Sequence, residues 1–206
     1  VLTSSSFKGG GIASYAVELI SSYADSCDIS VIIGDDSLYP LDKYKVKVYH
    51  YDMADTSEKN AQEVLFLINE TIKPDVIINS CARLMPLIAP FLNNEINVIN
   101  VSHSLRYDEA DYAGLNSEYA DAIIALSGFN KQYLEKTFHC ESKVEVVYNF
   151  VRELKEQPSI LQKKLQAKTP VIVFSGGGTA SKAPEIVYYI VKELLNTSLD
   201  FKFYWM

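Results

Sequence analysis

The sequence predicts an α/β fold with a largely parallel sheet and helices on both faces. Short apolar runs rich in valine and isoleucine, typical of strands that are buried on both sides, alternate with segments of helical periodicity. The strand-like runs in the larger part of the chain lie at residues 1–3, 29–33, 46–50, 76–79, 98–101, 122–126 and 144–148. Regular alternation of strands and helices is typical of the doubly wound, Rossmann-like arrangement.

Three helices can be assigned from their apolar faces or their caps. The first carries apolar side chains three or four positions apart, namely Ile12, Tyr15, Ala16, Leu19, Ile20 and Tyr23. A second face of the same spacing runs from Val64 to Ile72, and Pro74 marks its end. Ser127 is a suitable N-cap for a third helix that reaches Phe138.

The composition is that of an ordinary globular protein. Its 206 residues are 48% hydrophobic and 22% charged, and the formal net charge is −7, which makes nucleic acid a poor partner. The apolar run at residues 63–68 is far too short to span a membrane, and no leader-like series opens the chain, so we expect cytoplasmic residence. Cys27, Cys81 and Cys140 are unclustered, which predicts buried free thiols and no metal site.

The chain is predicted to hold one whole domain and the beginning of another. Residues 1–151 form the first domain, residues 152–169 a charged linker with a short helix, and residues 170–206 the start of a second unit. The second unit has a strand, a glycine turn, a helix and a strand, predicted at residues 170–175, 176–178, 182–195 and 201–205. Such a unit cannot close a core alone, so we expect the rest of this C-terminal domain to be missing.

The loop after the first strand is rich in glycine. It runs from Ser4 to Gly11, with the helix beginning near Ile12. Glycines such as Gly10 and Gly11 free the backbone, and a helix N-terminus offers N–H groups to an anion. A dinucleotide site would place G-x-G-x-x-G directly after the strand, and this longer loop with different spacing disfavours it. A turn whose glycines serve geometry alone is the remaining alternative.

Two further loops follow strands at the edge where doubly wound sheets bind ligands, the carboxyl ends of the strands. Arg83 follows the fourth strand and faces either solvent or an anionic group. His103 follows the fifth, where an imidazole can accept a proton or bind a hydroxyl; a histidine that caps local backbone is the alternative. The acidic residues 107–114 are predicted to be irregular, either a mobile flap or a solvated loop.

The order of these segments resembles the large family of retaining glycosyltransferases with the GT-B fold, known as group 1 or family 4. The resemblance covers nearly the whole chain. It is carried by GGGIASY from residue 9, PDVIINS from residue 74, VINVSHS from residue 98, ADAIIALS from residue 120, KVEVVYN from residue 143 and VIVFSG from residue 171. Each segment is short, and their order and spacing make the resemblance specific.

The resemblance implies two Rossmann-like domains facing across a cleft, one holding the acceptor and the other a nucleotide-diphosphate sugar. It implies transfer without a bound metal or other cofactor. It assigns Gly10 and Gly11 to the donor phosphates or the acceptor, and His103, the catalytic candidate, to the neighbourhood of the reacting sugar. Lys182 matches a lysine that neutralises the departing diphosphate.

One position departs from the family pattern. The resemblance places an arginine directly after Gly176, whereas this chain has Gly177. Backbone N–H groups of a glycine-rich turn can cradle phosphate instead, so Gly177 stays a donor-binding candidate. Weak donor binding is the other possible consequence, and it favours a non-catalytic or degenerate binding partner of the same fold. A sugar-nucleotide epimerase of this fold is a further alternative.

The function expected from the resemblance is sugar transfer to a glycan, polysaccharide or lipid-linked acceptor, as in polysaccharide biosynthesis. Candidates on the acceptor side are Arg83, Ser104 and Arg106. A lipid-linked acceptor would favour a peripheral place at the inner face of the membrane. The chain is acidic and has no cluster of lysine and arginine on an amphipathic helix, so the sequence itself gives no support for such docking.

Overall fold

The computed structural model describes residues 1–4, 10–34, 40–149, 169–176 and 182–206; of residues 107 and 108 it describes the backbone. The chain forms two compact units, Val1–Phe150 and Val151–Met206. The predicted linker, residues 152–169, and its short helix lie outside the described residues except for Thr169.

Parallel strands form the sheet of the first unit. They are β1 (Leu2–Ser4), β2 (Ile29–Ile33), β3 (Val46–His50), β4 (Val76–Ser80), β5 (Asn97–Ser102), β6 (Ala122–Ala125) and β7 (Val144–Val146). Their order across the sheet is β3-β2-β1-β4-β5-β6-β7. The predicted α/β fold with a parallel sheet is therefore confirmed, and every predicted strand lies within two residues of its observed ends.

The helices of this unit are α1 (Gly11–Tyr23), α2 (Glu58–Phe66), α3 (Met85–Ile88), α4 (Tyr107–Gly114) and α5 (Gly128–Phe138). The predicted cap is confirmed, because the Ser127 side chain accepts a hydrogen bond from the Asn130 N–H at 3.1 Å. A π-helical turn, Leu67–Ile72, extends α2 and ends at Lys73 in the left-handed conformation, just before Pro74. In the described part of the chain, no helix is long and apolar enough to cross a membrane.

The prediction of an irregular loop at residues 107–114 is wrong, because this segment forms α4. Ala110 and Ala113, three positions apart, are both buried, and Ala113 packs in the cluster that contains Ile123 and Leu134. The Asn100 side chain also donates a hydrogen bond to the Ala113 carbonyl at 3.1 Å. Two alanines make a narrow apolar stripe that is hard to recognise among acidic residues, yet it is enough to hold a two-turn helix against β5.

Both faces of the sheet are covered, and β2 shows how. Ile32 packs in a core cluster with Val64 and Ile68 of the α2 segment. Its neighbours Val31 and Ile33 point to the opposite face and pack in a second cluster with α1. Because alternate residues of one strand are buried on opposite sides, the strand is apolar throughout, as the sequence pattern indicated.

The second unit contains β8 (Val171–Phe174), α6 (Pro184–Leu195) and β9 (Lys202–Trp205), with β8 and β9 paired in parallel. The helix begins two residues later than predicted. Ala183 has a φ of 48°, in the left-handed region, and Pro184 occupies the first turn of the helix. Proline is favourable there, since its missing N–H is one that a helix start leaves unpaired.

Candidate functional site

The carboxyl ends of β1, β4 and β5 meet at one edge of the sheet. Ser4 is in register with Ser80, and Ser80 is in register with Val101. The loops that follow these strands therefore leave the sheet side by side. They lead to Gly10 and Gly11, to Arg83 and to His103, so the topology gathers the sequence candidates of the first unit at this edge.

Gly10 and Gly11 form the beginning of α1. Gly10 has a φ of 91°, a region that residues with side chains rarely adopt, and it provides no side-chain cap. The first helical hydrogen bond runs from the Ser14 N–H to the Gly10 carbonyl at 3.0 Å, so the N–H groups of the preceding turn have no helical partner. A Cβ atom added at Gly11 would meet nothing within 4 Å. This helix start can accommodate an anion.

His103 is held between the end of β4 and the beginning of α1. Its Nε2 atom lies 2.8 Å from the Ser80 hydroxyl oxygen, and Ser80 is fully buried. The ring of Tyr15 packs edge-on against the imidazole, with ring centroids 4.9 Å apart and an interplanar angle of 78°. These contacts bring the loop after β5 and the first turns of α1 together, and they fix the position of the imidazole.

Burial controls the charge of this pair of rings. Loss of contact with water lowers the pKa of His103 from 6.5 to about 4, so the imidazole is neutral at physiological pH. Burial, with a smaller contribution from Tyr23, raises the pKa of the Tyr15 hydroxyl above its ordinary value, which keeps the phenol protonated. The His103–Tyr15 pair is therefore a polar but uncharged element of the site.

The second ring nitrogen of His103, Nδ1, reaches solvent. Within the described residues it has no hydrogen-bond partner, and it is not among their buried polar atoms that lack one. One nitrogen of the imidazole is thus occupied by the protein while the other is open. This is the geometry of a side chain that contacts a bound molecule from a fixed position.

A row of buried polar side chains lies behind this edge. The Thr3 hydroxyl donates to the side-chain oxygen of Asn79, Oδ1, at 3.2 Å. The side-chain nitrogen of Asn79 donates to Oδ1 of Asn100 at 3.0 Å. The same Asn79 oxygen accepts the Ala82 N–H at 2.9 Å. That bond closes the turn after β4, where Cys81 has a φ of 66°. The Asn79 side chain therefore holds the turn that leads from Ser80 towards the exposed Arg83.

Arg83 is exposed and contacts α4. Its guanidinium carbon lies 5.6 Å from the centroid of the Tyr112 ring. No carboxylate pairs with it in the described part of the chain. The side chain is oriented by an aromatic face and keeps its charge available to an anionic group.

Ser104 and Arg106 are already engaged at the beginning of α4. The Ser104 hydroxyl donates to Glu109 Oε2 at 2.5 Å and accepts the Arg106 N–H at 3.1 Å. The Arg106 guanidinium lies 3.5 Å from Glu109 Oε1. These bonds hold the loop after His103 in place, so Ser104 acts on the site through the shape of that loop.

In the second unit, Lys182 is exposed and lies just before α6. Gly176 lies in the loop that follows β8, and a Cβ atom added there would lie 3.5 Å from the Lys182 Cβ. The Gly176 carbonyl accepts a hydrogen bond from the Trp205 indole at 2.8 Å. Gly177, the other donor-side candidate of this unit, lies outside the described residues.

No group of three His, Cys, Asp or Glu side chains among the described residues could hold a metal ion. None of the three cysteines forms a disulfide, as predicted. The prediction that they are buried holds for Cys140 but is wrong for Cys27, which is exposed, and for Cys81, which is half-buried. Cys27 lies in the turn after α1, where its N–H donates to the Tyr23 carbonyl at 2.9 Å.

A pocket of about 340 Å³ opens at the opposite, amino edge of the sheet. Its charged groups are used by the fold. Asp121 accepts the Val98 N–H at 2.7 Å, and the Lys143 ammonium donates to the backbone carbonyls of residues 117, 118 and 120 at 2.7 to 2.9 Å. Since Asp121 and Lys143 are occupied in this way, the carboxyl edge remains the candidate site.

Two residues of the site escaped the sequence analysis, Ser80 and Tyr15. Ser80 stood in a segment recognised as the end of a strand, and Tyr15 was assigned to the apolar face of a helix. Only the adjacency of β4 to β5 puts Ser80 beside His103. The sequence feature that could have indicated Ser80 as a site residue is its position, as a polar residue directly after an apolar strand.

Comparison with solved structures finds the same fold in 24 chains, among them those of the following two proteins. Crystal structures of Anabaena Alr3699/HepE in complex with UDP-glucose and with UDP match at 15% and 14% identity, with TM-scores of 0.66 and 0.68. A glycosyltransferase from Rickettsia africae ESF-5 matches at 13% identity with a TM-score of 0.66. Each match covers 98% of this chain and 67% or 68% of the other. No protein-family model and no curated protein matches.

The likeness confirms the predicted glycosyltransferase fold of the GT-B type. At this level of sequence identity, the structural likeness shows the fold but not the family within that fold. Membership of group 1, or family 4, therefore stays a prediction.

Proposed function

We propose that this chain is part of a glycosyltransferase that moves a sugar from a nucleotide-diphosphate sugar to a glycan, polysaccharide or lipid-linked acceptor. One observation carries the proposal. His103 is fixed by Ser80 at the carboxyl edge, with its second nitrogen open, beside the uncapped beginning of α1. The fold that presents this arrangement is shared with Anabaena HepE, whose structures contain UDP-glucose and UDP.

On the donor side, the diphosphate gains negative charge as it leaves, and nearby positive groups are needed to stabilise it. The N–H groups at the beginning of α1, around Gly10 and Gly11, offer hydrogen bonds and the positive end of a helix dipole. For the second unit, the family resemblance assigns the charge of Lys182 and the backbone N–H group of Gly177 to donor binding. Such fixed charges stabilise a developing dianion without a metal ion, so we propose that the transfer uses no resident cofactor.

The proposed reaction retains the configuration of the anomeric carbon. The acceptor oxygen forms a bond to that carbon on the face from which the diphosphate departs, and the carbon–oxygen bond to the diphosphate breaks. The acceptor proton passes to a departing phosphate oxygen. Burial lowers the pKa of His103 to about 4 and keeps the imidazole neutral, and its proposed role is to position the transferred sugar by a hydrogen bond.

On the acceptor side, Arg83 is the cation best placed to meet an anionic group, because its charge is exposed and lacks a carboxylate partner among the described residues. Ser104 and Arg106 shape the neighbouring loop. A glycan or lipid-linked acceptor that carries carboxylate or phosphate fits this edge. Residence in the cytoplasm, with a place at the inner face of the membrane for a lipid-linked acceptor, belongs to the same proposal.

A non-catalytic sugar-nucleotide binder is the second candidate. The glycine at position 177, where the family resemblance places an arginine, favours it. Without that arginine the departing diphosphate has one fewer partner, which affects turnover more than binding if the N–H groups compensate.

The test uses the native full-length protein with UDP-glucose as the first donor probe. Calorimetry measures binding, and release of UDP in the presence of candidate acceptors measures transfer. We expect His103→Ala to lower turnover and Lys182→Ala to weaken donor binding. His50→Ala on the edge strand β3 is the matched control. Binding without transfer to any acceptor would favour the second candidate, and wild-type turnover in His103→Ala would contradict the role of His103.

A further inference from the structure

The hydroxyl of Ser80 has one hydrogen-bond partner in the described part of the chain, the Nε2 atom of His103 at 2.8 Å. Ser80 is the last residue of β4 and has no solvent exposure. A serine hydroxyl carries one donor and two acceptor positions. In these surroundings the direction of a single hydrogen bond decides whether its proton is paired.

The two possible directions differ in free energy. If Ser80 accepts a proton from Nε2–H, its own O–H remains buried without an acceptor, which is unfavourable. If Ser80 donates to Nε2, its proton is paired and only oxygen lone pairs remain unused. The second direction is favoured, and it requires Nε2 to be unprotonated.

A neutral imidazole with an unprotonated Nε2 carries its proton on Nδ1. We propose that Ser80 is a positioning residue that fixes neutral His103 as the Nδ1–H tautomer, so that the open nitrogen offers a hydrogen-bond donor and not a base. The Tyr15 ring packs edge-on against the imidazole of His103 and keeps the imidazole in this orientation. The complementary group on a ligand is an oxygen lone pair, from a sugar hydroxyl or a phosphate.

That ligand assignment rests on the proposed function, whereas the tautomer rests on the Ser80 contact alone. The two are tested separately. Nitrogen NMR of histidine-labelled protein distinguishes protonated from unprotonated ring nitrogens without any ligand. The chain has three histidines, and substitutions at His50 and His139 assign the signals of His103.

In the wild-type protein at pH 7 we expect a protonated Nδ1 and an unprotonated Nε2 for His103. In Ser80→Ala the preference is expected to shift towards Nε2–H, and Ser80→Thr, which keeps a hydroxyl, is expected to restore it. Ser102→Ala is the matched control, because Ser102 is equally buried at the end of β5 but is bonded to Asn130. It should leave the tautomer unchanged.

A wild-type His103 protonated at Nε2 overturns the inference, and this measurement does not depend on the folding of Ser80→Ala. An unchanged Nδ1–H tautomer in folded Ser80→Ala also overturns it. UDP-glucose is then added to the wild-type protein. A shift of the Nδ1 signal supports the contact with the ligand; its absence, with the expected tautomer in place, counts against the proposed function and leaves the role of Ser80 standing.

Discussion

The guanidinium of Arg83 lies over the ring of Tyr112, with its central carbon 5.6 Å from the ring centroid, and this contact joins the loop after β4 to α4. The aromatic face orients the cation without neutralising it. Such contacts contribute about 0.5–1 kcal/mol at exposed sites, so the arrangement is weak as a structural link. Its main effect is to hold a positive charge at the carboxyl edge of the sheet.

Arg83→Gln should therefore affect the acceptor and not the fold. We expect the acceptor KM of the full-length enzyme to rise several-fold, with a change in the free energy of unfolding below about 1 kcal/mol. Donor affinity, measured by calorimetry with UDP-glucose, should stay unchanged. Tyr112→Leu, which removes the platform and keeps the charge, should give a smaller rise in KM. Equal loss of donor and acceptor binding would contradict this role.

The lowered pKa of His103 predicts a specific pH dependence of stability. Folding lowers the pKa of His103 from its ordinary value of 6.5 to about 4, so between these values the unfolded chain binds a proton that the folded chain does not. The free energy of unfolding is therefore highest above pH 6.5 and decreases as the pH falls towards 4. Allowing for partial exposure, the loss is on the order of 2 kcal/mol. Urea unfolding of the wild-type protein and His103→Gln at pH 7 and pH 4 should show this difference between them.

His50→Gln, on the edge strand β3, is the control for this measurement, since the titration of carboxylates is common to all three proteins. Its unfolding curve should follow the wild-type pH dependence. If His103→Gln does the same, folding does not lower the pKa of His103.

Lys143 should be important for stability at the amino edge. Its ammonium donates to three backbone carbonyls, at residues 117, 118 and 120, with distances of 2.7 to 2.9 Å. Lys143→Met leaves them without this partner, and we expect a loss of about 2–3 kcal/mol in the free energy of unfolding. Lys136→Met, at an exposed position in the last turn of α5, is the control and should change stability little. Denaturant unfolding measures both.

Asn79 should combine stability with the geometry of the site. Asn79→Leu keeps a similar volume but removes the partners of Thr3, Ala82 and Asn100, and we expect a loss of about 3 kcal/mol or more. The turn after β4 should loosen, which amide exchange at Ala82 would report. Asn97→Ala, an exposed amide on β5, is the control. Unchanged exchange at Ala82 would show that the turn does not depend on Asn79.

The strands of this fold could be predicted from the sequence because each is a short apolar run whose residues are buried on both faces. The helix α4 could not, because its buried side is made of Ala110 and Ala113, and the acidic residues around them give no helical pattern. Helix assignment from sequence depends on the width of the apolar face, and here tertiary contact with β5 decides the conformation.

The site was predictable as an edge of the sheet and not as a set of contacts. His103 was placed correctly at the end of a strand, since that position follows from the local sequence. Its partner Ser80 is 23 residues away, and the contact exists because β4 and β5 are neighbours in the sheet. Strand order is a property of the whole chain, so the bond that fixes the imidazole is visible only in the structure.

The polar row of Thr3, Asn79 and Asn100 also selects the alignment of three strands during folding. If β4 moved by one residue along β5, Asn79 would turn to the other face of the sheet; if it moved by two, Asn79 would lie opposite Val98 or Ser102. A slip of either size separates Asn79 from Asn100, and each buried amide group that is left without a partner costs about 1–3 kcal/mol, a large part of the 5–15 kcal/mol that stabilises a typical domain. Apolar contacts alone tolerate such slippage, because the strands are rich in interchangeable valine and isoleucine. The heights at which Ser80 and His103 leave the sheet are therefore set by three buried polar side chains.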